Sequence, residues 1–301
     1  MTNSTPRPHV TRRTTSKRVA TSPGCEPLRE MYEAAEYARP RAWNAVQDDY
    51  LRAIERLDAN LVAGIANMGD LQNGKGDYFN DLLARLLENC ADLELYSRRG
   101  VPGFIFPTHN LDITYPSTGV AKFLVEAKAL GTPKHPGSPE EDEMGRRGSA
   151  DIKKRVTELA FKTIDLKAEQ GRIEAMAGGR PTVNAGGNLT TWLRAVSPRT
   201  YLFISARVVS PTDLAAVVRY AGRAAQVEDG VGVFAYKPIS RARPTQYRAV
   251  ADIPTELQLE RVLYRACEDL AAAARQAPIA LPPEVIAEAE EIEAFDQEAD
   301  G

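Results

Sequence analysis

Two carboxylates and one ammonium fall on neighbouring runs of the chain that have the alternation of short β-strands. Asp112 lies in the first run, and Glu126 and Lys128 lie in the second. Residues two apart in a strand project to the same face, so Glu126 and Lys128 point the same way. Pairing of the two runs through the turn at 116–119 would bring Asp112 alongside Glu126. These three side chains are our candidate catalytic residues.

The chemistry that suits this trio is metal-assisted hydrolysis of a phosphate ester. Two close carboxylates repel each other unless a cation joins them, and carboxylates with phosphate oxygens are a common setting for Mg²⁺. Such a metal polarises the scissile phosphate and lowers the pKa of a bound water, which Lys128 would position or deprotonate. The chain has only three cysteines and three histidines, widely spaced. A cysteine or histidine metal cluster and a disulfide framework are therefore excluded, and any metal must be held by oxygen.

Strand context is what singles out this trio. An acid, any residue and a lysine follow one another three times, beginning at Glu126, Asp151 and Asp165. The second and third copies fall in a helix predicted to begin at Ser149, where residues two apart point in different directions. We therefore expect both helical pairs, Asp151 with Lys153 and Asp165 with Lys167, to be solvated surface charges.

Apolar periodicity and turn residues divide the middle of the chain into helices and short strands. A strand, a helix and a strand in succession also predict a parallel crossover late in the chain. The pattern predicts an α/β fold whose core order is helix, three-stranded meander, helix, strand, helix, strand, with helical additions at both ends. In chain order the predicted elements are a helix over 27–68 broken at Pro40, a glycine-rich loop over 67–76, a helix carrying Phe79 and Leu82, strands at 93–97, 109–115 and 121–128, a polar loop over 131–148, a helix from Ser149 to about Met176, a strand at 200–208, a helix at 212–226, strands at 231–236 and 246–253, and a helix at 255–275.

One glycine-rich segment comes close to a phosphate-binding loop. Residues 69–76 have glycines near the required spacing and Lys75 near the required place. Gly76 stands where that loop needs a serine or threonine for magnesium, and the preceding segment has the pattern of a helix rather than a strand. These two departures from the motif argue against nucleotide hydrolysis at this segment.

Asp112, followed on the next strand by Glu126-Ala127-Lys128, resembles the PD-(D/E)xK nuclease superfamily, the fold of many type II restriction endonucleases. The predicted element order over roughly 76–236 is similar to the core of that family. The resemblance implies that Asp112 and Glu126 are metal ligands for Mg²⁺, with Mn²⁺ as an alternative. It also implies that the carbonyl of Ala127 is a third ligand and that Lys128 is the catalytic lysine.

The chain departs from the family pattern at two places. Leu111 stands where the family often has proline before the aspartate. Many members also carry a glutamate on the first core helix, often just after an aromatic residue. Here Phe79 is followed by Asn80 and Asp81, so Asp81 is the candidate for that fourth ligand, with Glu88 as a second candidate.

Basic residues are concentrated after the predicted active strand, where the family places its substrate. Residues 144–180 carry nine bases and five acids. These bases could bind DNA phosphates or guanine edges, and the alternative is a solvated helix face with ion pairs. The candidate nucleic-acid contacts are Lys134, Arg146, Arg147, Lys153 and Lys154.

The two ends of the chain differ sharply in charge. We interpret 1–26 as a disordered basic arm, 27–70 as a helical extension, 71–253 as the nuclease-like core and 254–301 as helices with an acidic tail. Residues 1–25 carry five bases and no acid, whereas 284–301 carry eight acids and no base. A basic arm can reach phosphates, and a plain solvated tail is the alternative.

These features predict a Mg²⁺-dependent DNA endonuclease, most simply one with sequence-specific double-strand cleavage. Such enzymes usually act as homodimers because two strands need two active sites, and helices at 28–68 and 255–275 could supply the interface. We expect a cytoplasmic protein without a membrane span, because no stretch approaches the roughly 18 apolar residues required.

Three alternatives stay open from the sequence. The first is a repair or mobile-element nuclease of the same fold, and the second is RNA as the substrate. The third is a non-catalytic nucleic-acid-binding or interaction protein that retains the fold. Ion pairs that neutralise both acids would favour this third alternative.

Overall fold

A six-stranded sheet is the centre of the computed structural model, which describes residues 24, 41–138, 143–176, 189–283 and 285. The strands lie side by side in chain order. They are β1 (Tyr96–Val101), β2 (His109–Tyr115), β3 (Phe123–Leu130), β4 (Arg199–Arg207), β5 (Gly230–Ser240) and β6 (Arg243–Ala249). The helices are α1 (Gln47–Val62), α2 (Met68–Ala91), α3 (Ser149–Met176), α4 (Leu189–Ala195), α5 (Pro211–Ala224) and α6 (Leu259–Ala274), with single 3-10 turns at Trp43–Ala45 and Thr255–Leu257.

The sheet is mixed in direction. β1, β2 and β3 form an antiparallel meander, β3, β4 and β5 are parallel, and β6 returns antiparallel to β5. Helix α3 lies in the crossover between β3 and β4, and α5 lies in the crossover between β4 and β5. The predicted meander, parallel crossover and last strand are therefore confirmed, whereas the short helix α4 was not predicted.

Helices cover both faces of the sheet, and strand alternation sends each side chain to one of them. Val125 and Ala127 of β3 pack in the core formed with α1, α2 and α6. Leu124 packs with Leu166 of α3 on the other face. Because neighbouring strand residues alternate, Glu126 lies on the α3 face as well.

The predicted glycine-rich loop over 67–76 is wrong, because the chain there begins helix α2. The side chain of Asn67 caps the helix by accepting hydrogen bonds from the amides of Gly69 and Asp70, at 2.8 and 3.4 Å. A glycine costs about 1 kcal/mol relative to alanine inside a helix. Burial of Leu71 and Phe79 in the core offsets that cost.

The described parts of the polar segment, 131–138 and 143–148, are loop, as predicted, and hydrogen bonds close the base of the segment. The amide of Thr132 donates to the carbonyl of Arg146 at 3.0 Å, and the amide of Gly148 donates to the carbonyl of Arg207 at 2.8 Å. These hydrogen bonds fix the two ends of the segment, where it leaves β3 and where it joins α3.

Some predictions concern residues outside the described part of the chain. These residues are the basic arm except Gly24, residues 27–40 of the predicted extension, and the acidic tail except Val285. Helices α1 and α6, suggested as a dimer interface, bury apolar residues in the core of their own chain. Among the described helices, none is both long and apolar enough to cross a membrane.

Candidate active site

Asp112, Glu126 and Lys128 meet at one point of the sheet. The Nζ of Lys128 lies 2.8 Å from Oε2 of Glu126 and 3.3 Å from Oδ2 of Asp112. The two carboxylates therefore share one ammonium, which requires them to face the same small volume. The convergence expected from strand alternation is present.

The end of strand pairing positions Asp112. β2 and β3 pair as far as Ile113 opposite Val125, and Asp112 comes next. The Oδ2 of Asp112 accepts a hydrogen bond from the amide of Ala127 at 3.2 Å, so a side chain occupies a position that a backbone acceptor takes in a regular ladder. The hydroxyl of Ser97 on β1 donates to the carbonyl of Asp112 at 2.8 Å.

A fourth charged residue, Lys162 of α3, completes the cluster. Its Nζ donates to Oε1 of Glu126 and to the backbone carbonyl of Asn110. In the sequence, Lys162 is only one base among the nine at 144–180, because no local spacing connects it with Glu126. The signal that could have found it is the crossover, which places α3 over β3.

Charge and burial together set the protonation of Lys128. Burial by itself lowers the pKa of this ammonium, but the neighbouring carboxylates of Glu126 and Asp112 outweigh burial and raise its pKa above the ordinary value. Lys128 is therefore a cation in this arrangement.

The donor set fits a magnesium ion in part. Mg²⁺ is commonly held by one or two carboxylates together with water and substrate phosphate. Asp112 and Glu126 provide two carboxylates, and their side chains are 25% and 6% exposed, so the site opens on the Asp112 side. No group of three acidic, histidine or cysteine side chains suited to a metal occurs within the described ranges.

The expected fourth ligand is therefore not brought to the pair. Asp81 is buried in α2, and its neighbours Phe79 and Leu82 pack in the core with α1 and α6, on the face opposite Glu126. Glu88, the second candidate, instead accepts a hydrogen bond from the amide of Leu95 at 2.9 Å.

The predicted DNA contacts lie on the surface, and some of them have acidic partners. A guanidinium nitrogen of Arg146 lies 2.6 Å from Oδ1 of Asp151, and Nζ of Lys154 lies 3.7 Å from Glu158. The structure therefore combines features of both alternatives, an exposed basic surface and ion pairs along a solvated helix. The five residues, all exposed, are Lys134, Arg146, Arg147, Lys153 and Lys154.

The third copy of the acid and lysine pattern lies inside the protein. We expected Asp165 and Lys167 to be solvated, and both are buried. The Nζ of Lys167 donates to Asp229 at 2.8 Å and to the carbonyl of Leu193 at 2.5 Å. Burial is tolerated because the ammonium has charged and polar partners. The expectation was wrong because the part of α3 that carries Asp165 and Lys167 is packed against other segments of the chain.

The described arrangement can gather a divalent cation, a phosphate and an ammonium at one place on the sheet. Two ammoniums, Lys128 and Lys162, also balance the two carboxylates without any further ion. Comparisons of the chain with protein-family models, curated proteins and solved structures each give no match.

Proposed function

We propose that this protein is a Mg²⁺-dependent deoxyribonuclease that hydrolyses phosphodiester bonds within DNA, with a core similar to the PD-(D/E)xK nucleases. One observation carries the proposal. Carboxylates of Asp112 and Glu126, on adjacent strands, lie within 3.3 and 2.8 Å of the same ammonium, Lys128. Side chains drawn together in this way present two oxygens to a single cation.

The residues of the site have distinct roles in this proposal. Asp112 and Glu126 hold the metal, Mg²⁺ or Mn²⁺, with the carbonyl of Ala127 as the further ligand. When bound, the metal supplies a Lewis acid for the phosphate and lowers the pKa of water. Lys128 donates to the phosphate oxygens, where negative charge develops.

Sequence-specific double-strand cleavage by a cytoplasmic homodimer is the most specific form of the proposal. Two strands of opposite direction call for two sites related by a twofold axis. The exposed bases at 146–147 and 153–154 would contact phosphates on either side of the cleaved bond. Dimerisation would use a surface outside the apolar sides of α1 and α6, since these pack within their own chain.

A non-catalytic nucleic-acid-binding protein is the second candidate, and the ion pairs favour it. Lys128 and Lys162 together neutralise Glu126 and Asp112. A cluster with balanced charge is stable without a metal and can serve the fold alone. The two candidates differ in whether a divalent cation replaces an ammonium at Glu126.

Plasmid DNA, phage DNA and RNA are each incubated with the protein in Mg²⁺ and in EDTA, and a gel-shift assay measures DNA binding; together these experiments distinguish the candidates. Glu126→Gln keeps the shape of the side chain and removes its charge, and Glu158→Gln, on the exposed side of α3, is the matched control. Discrete fragments that require Mg²⁺ and Glu126 support a sequence-specific endonuclease. Nicking without discrete fragments indicates a repair or mobile-element nuclease. Cleavage of RNA but not of DNA would show that RNA is the substrate. Specific binding of DNA without cleavage favours the non-catalytic candidate.

A further inference from the structure

Three consecutive apolar side chains stand in solvent on the loop between β1 and β2. Phe104, Ile105 and Phe106 are 62%, 67% and 52% exposed. We call these three residues the apolar tip. Single exposed apolar residues are ordinary, but a contiguous group of them on one turn indicates a contact surface.

A buried carboxylate holds the apolar tip in place. Asp165 of α3 accepts hydrogen bonds from the amide of Ile105 at 2.6 Å and from the amide of Phe106 at 3.1 Å. It also lies 2.7 Å from Nε2 of His109, and its backbone carbonyl accepts from the amide of Phe104 at 3.3 Å. One residue thus fixes three successive backbone amides, so the outward orientation of the tip is built into the fold.

Gly103 is required for this attachment. A Cβ at Gly103 would lie 2.1 Å from Oδ2 of Asp165 and 2.6 Å from Nε2 of His109, closer than atoms can approach. The amide of Gly103 also donates to the carbonyl of Phe106 at 3.0 Å, which closes the turn. The loop therefore combines a glycine, a buried acid and a closed turn to present apolar side chains to water.

The apolar tip lies directly beside the candidate active site. Phe106 packs edge-on against Phe161 of α3, with ring centroids 5.3 Å apart. The next residue, Lys162, reaches Glu126 and the carbonyl of Asn110. Two consecutive residues of α3, Phe161 and Lys162, therefore connect the apolar tip with the charged cluster.

We propose that the apolar tip contacts the bases of the DNA substrate next to the cleaved phosphate, either stacked on an exposed base or wedged between two base pairs. This inference rests on the proposed function. Aromatic side chains stack on bases, and apolar residues inserted at a base step unstack it. The attachment by Asp165 reduces the conformational entropy lost on contact.

The position of the apolar tip favours a DNA base over other binding partners. A phosphate held by Lys128 and the metal would bring the adjacent nucleotide to the neighbouring surface, where Phe106 and Phe161 stand exposed. Lys162 borders the same surface and provides a cation for the sugar–phosphate chain. A second copy of the chain and a lipid surface remain as outcomes of the test.

The test measures DNA binding in a full-length chain carrying Glu126→Gln. A duplex containing 2-aminopurine is titrated, with anisotropy for affinity and 2-aminopurine emission for unstacking. Phe104→Ser with Ile105→Ser and Phe106→Ser removes the apolar tip, and Tyr264→Ser with Ile239→Ser and Ile65→Ser removes other exposed apolar side chains as the matched control. We expect the tip variant to bind about tenfold more weakly and to lose the rise in emission, with the control unchanged. Unfolding temperatures of all variants verify the fold.

Equal affinity and equal emission in the tip variant would overturn the inference. So would loss of self-association in sedimentation, or loss of binding to phosphatidylserine vesicles, without a change in DNA binding. Plasmid cleavage by the chain with intact Glu126 is scored separately. Tip-dependent binding without cleavage supports the apolar tip and overturns the nuclease, whereas cleavage with tip-independent binding does the reverse.

Discussion

Lys162 on α3 and Glu126 on β3 form an ion pair between Nζ and Oε1, across 36 positions of the chain. The pair exists because α3 belongs to the crossover that leaves β3 and packs back over it. It gives Glu126 a second ammonium in addition to that of Lys128. The balance between these ammoniums and a divalent cation is central to the first two predictions.

Lys128→Met should slow cleavage by about two to three orders of magnitude and make the stability of the fold depend on Mg²⁺. Loss of one positioned donor at developing charge typically lowers the rate by about 10²–10³. The carboxylates of Asp112 and Glu126 would then lack the ammonium they share, so the unfolding temperature should fall in EDTA and recover in Mg²⁺. Cleavage assays and thermal unfolding measure the two effects. Lys237→Met, on β5, is the control, and undiminished cleavage by Lys128→Met would show that Lys128 is not part of the site.

Lys162→Met should lower the Mg²⁺ concentration required for half-maximal cleavage. The ammonium competes with the metal for Glu126, and a partly exposed pair contributes about 1 kcal/mol, which corresponds to about fivefold in Mg²⁺ affinity. A Mg²⁺ titration of the cleavage rate, repeated as a titration of unfolding temperature, provides the measurement. An unchanged or higher Mg²⁺ requirement would show that Lys162 does not compete with the metal.

Glu228→Gln should stabilise the protein above neutral pH. Burial raises the pKa of Glu228 to about 7, against the opposing effect of hydrogen bonds from Thr200 and Thr163. Between its ordinary value of 4.5 and about 7, the folded state keeps the proton that the unfolded state releases. Stability therefore falls as pH rises through this window, by about 3 kcal/mol at most.

Urea unfolding at pH 5 and pH 8 measures this effect. The difference in stability between the two pH values should be smaller in Glu228→Gln than in the parent protein. Glu256→Gln, at an exposed position, is the control. The same pH dependence in Glu228→Gln and the parent would show that Glu228 is not protonated in the folded state.

Asp58→Asn should destabilise the fold strongly. Asp58 of α1 contacts the ammonium of buried Lys75 and accepts a hydrogen bond from the hydroxyl of Tyr247 at 2.6 Å. Removing its charge leaves Lys75 buried without a counter-ion, a change that typically costs about 3–5 kcal/mol. Burial lowers the pKa of Lys75, opposed by Asp58, so the folded variant releases a proton more readily than the unfolded chain. Its stability should therefore recover as pH rises.

Denaturant unfolding at pH 7 and pH 9 tests the prediction for Asp58, with Asp49→Asn on the exposed side of α1 as control. A loss below about 1 kcal/mol at pH 7 would contradict it. Lys75 belongs to the segment that approaches a phosphate-binding loop in sequence. The buried ion pair with Asp58 explains why a lysine stands at this position, and no bound nucleotide is needed to explain it.

Local periodicity was enough to predict the part of the site that lies within single strands. Alternation along β3 places Glu126 and Lys128 on one face, and a short turn brings Asp112 beside them. These relations depend on backbone geometry over a few residues, which the sequence expresses directly. The order of strands and helices followed from the same local patterns. The glycine-rich start of α2 did not, because its helix depends on burial of Leu71 and Phe79 in the core.

The tertiary structure alone decided which helical charges belong to the site and which are buried. Lys162 and Asp165 lie three residues apart on α3, yet one reaches Glu126 and the other holds the apolar tip. Both contacts depend on how α3 packs against β3 and the turn after β1. A helical pattern shows which residues share a face, but the neighbour of that face comes from distant parts of the chain. The sequence by itself therefore determined the acidic pair and its lysine, and packing determined their partners.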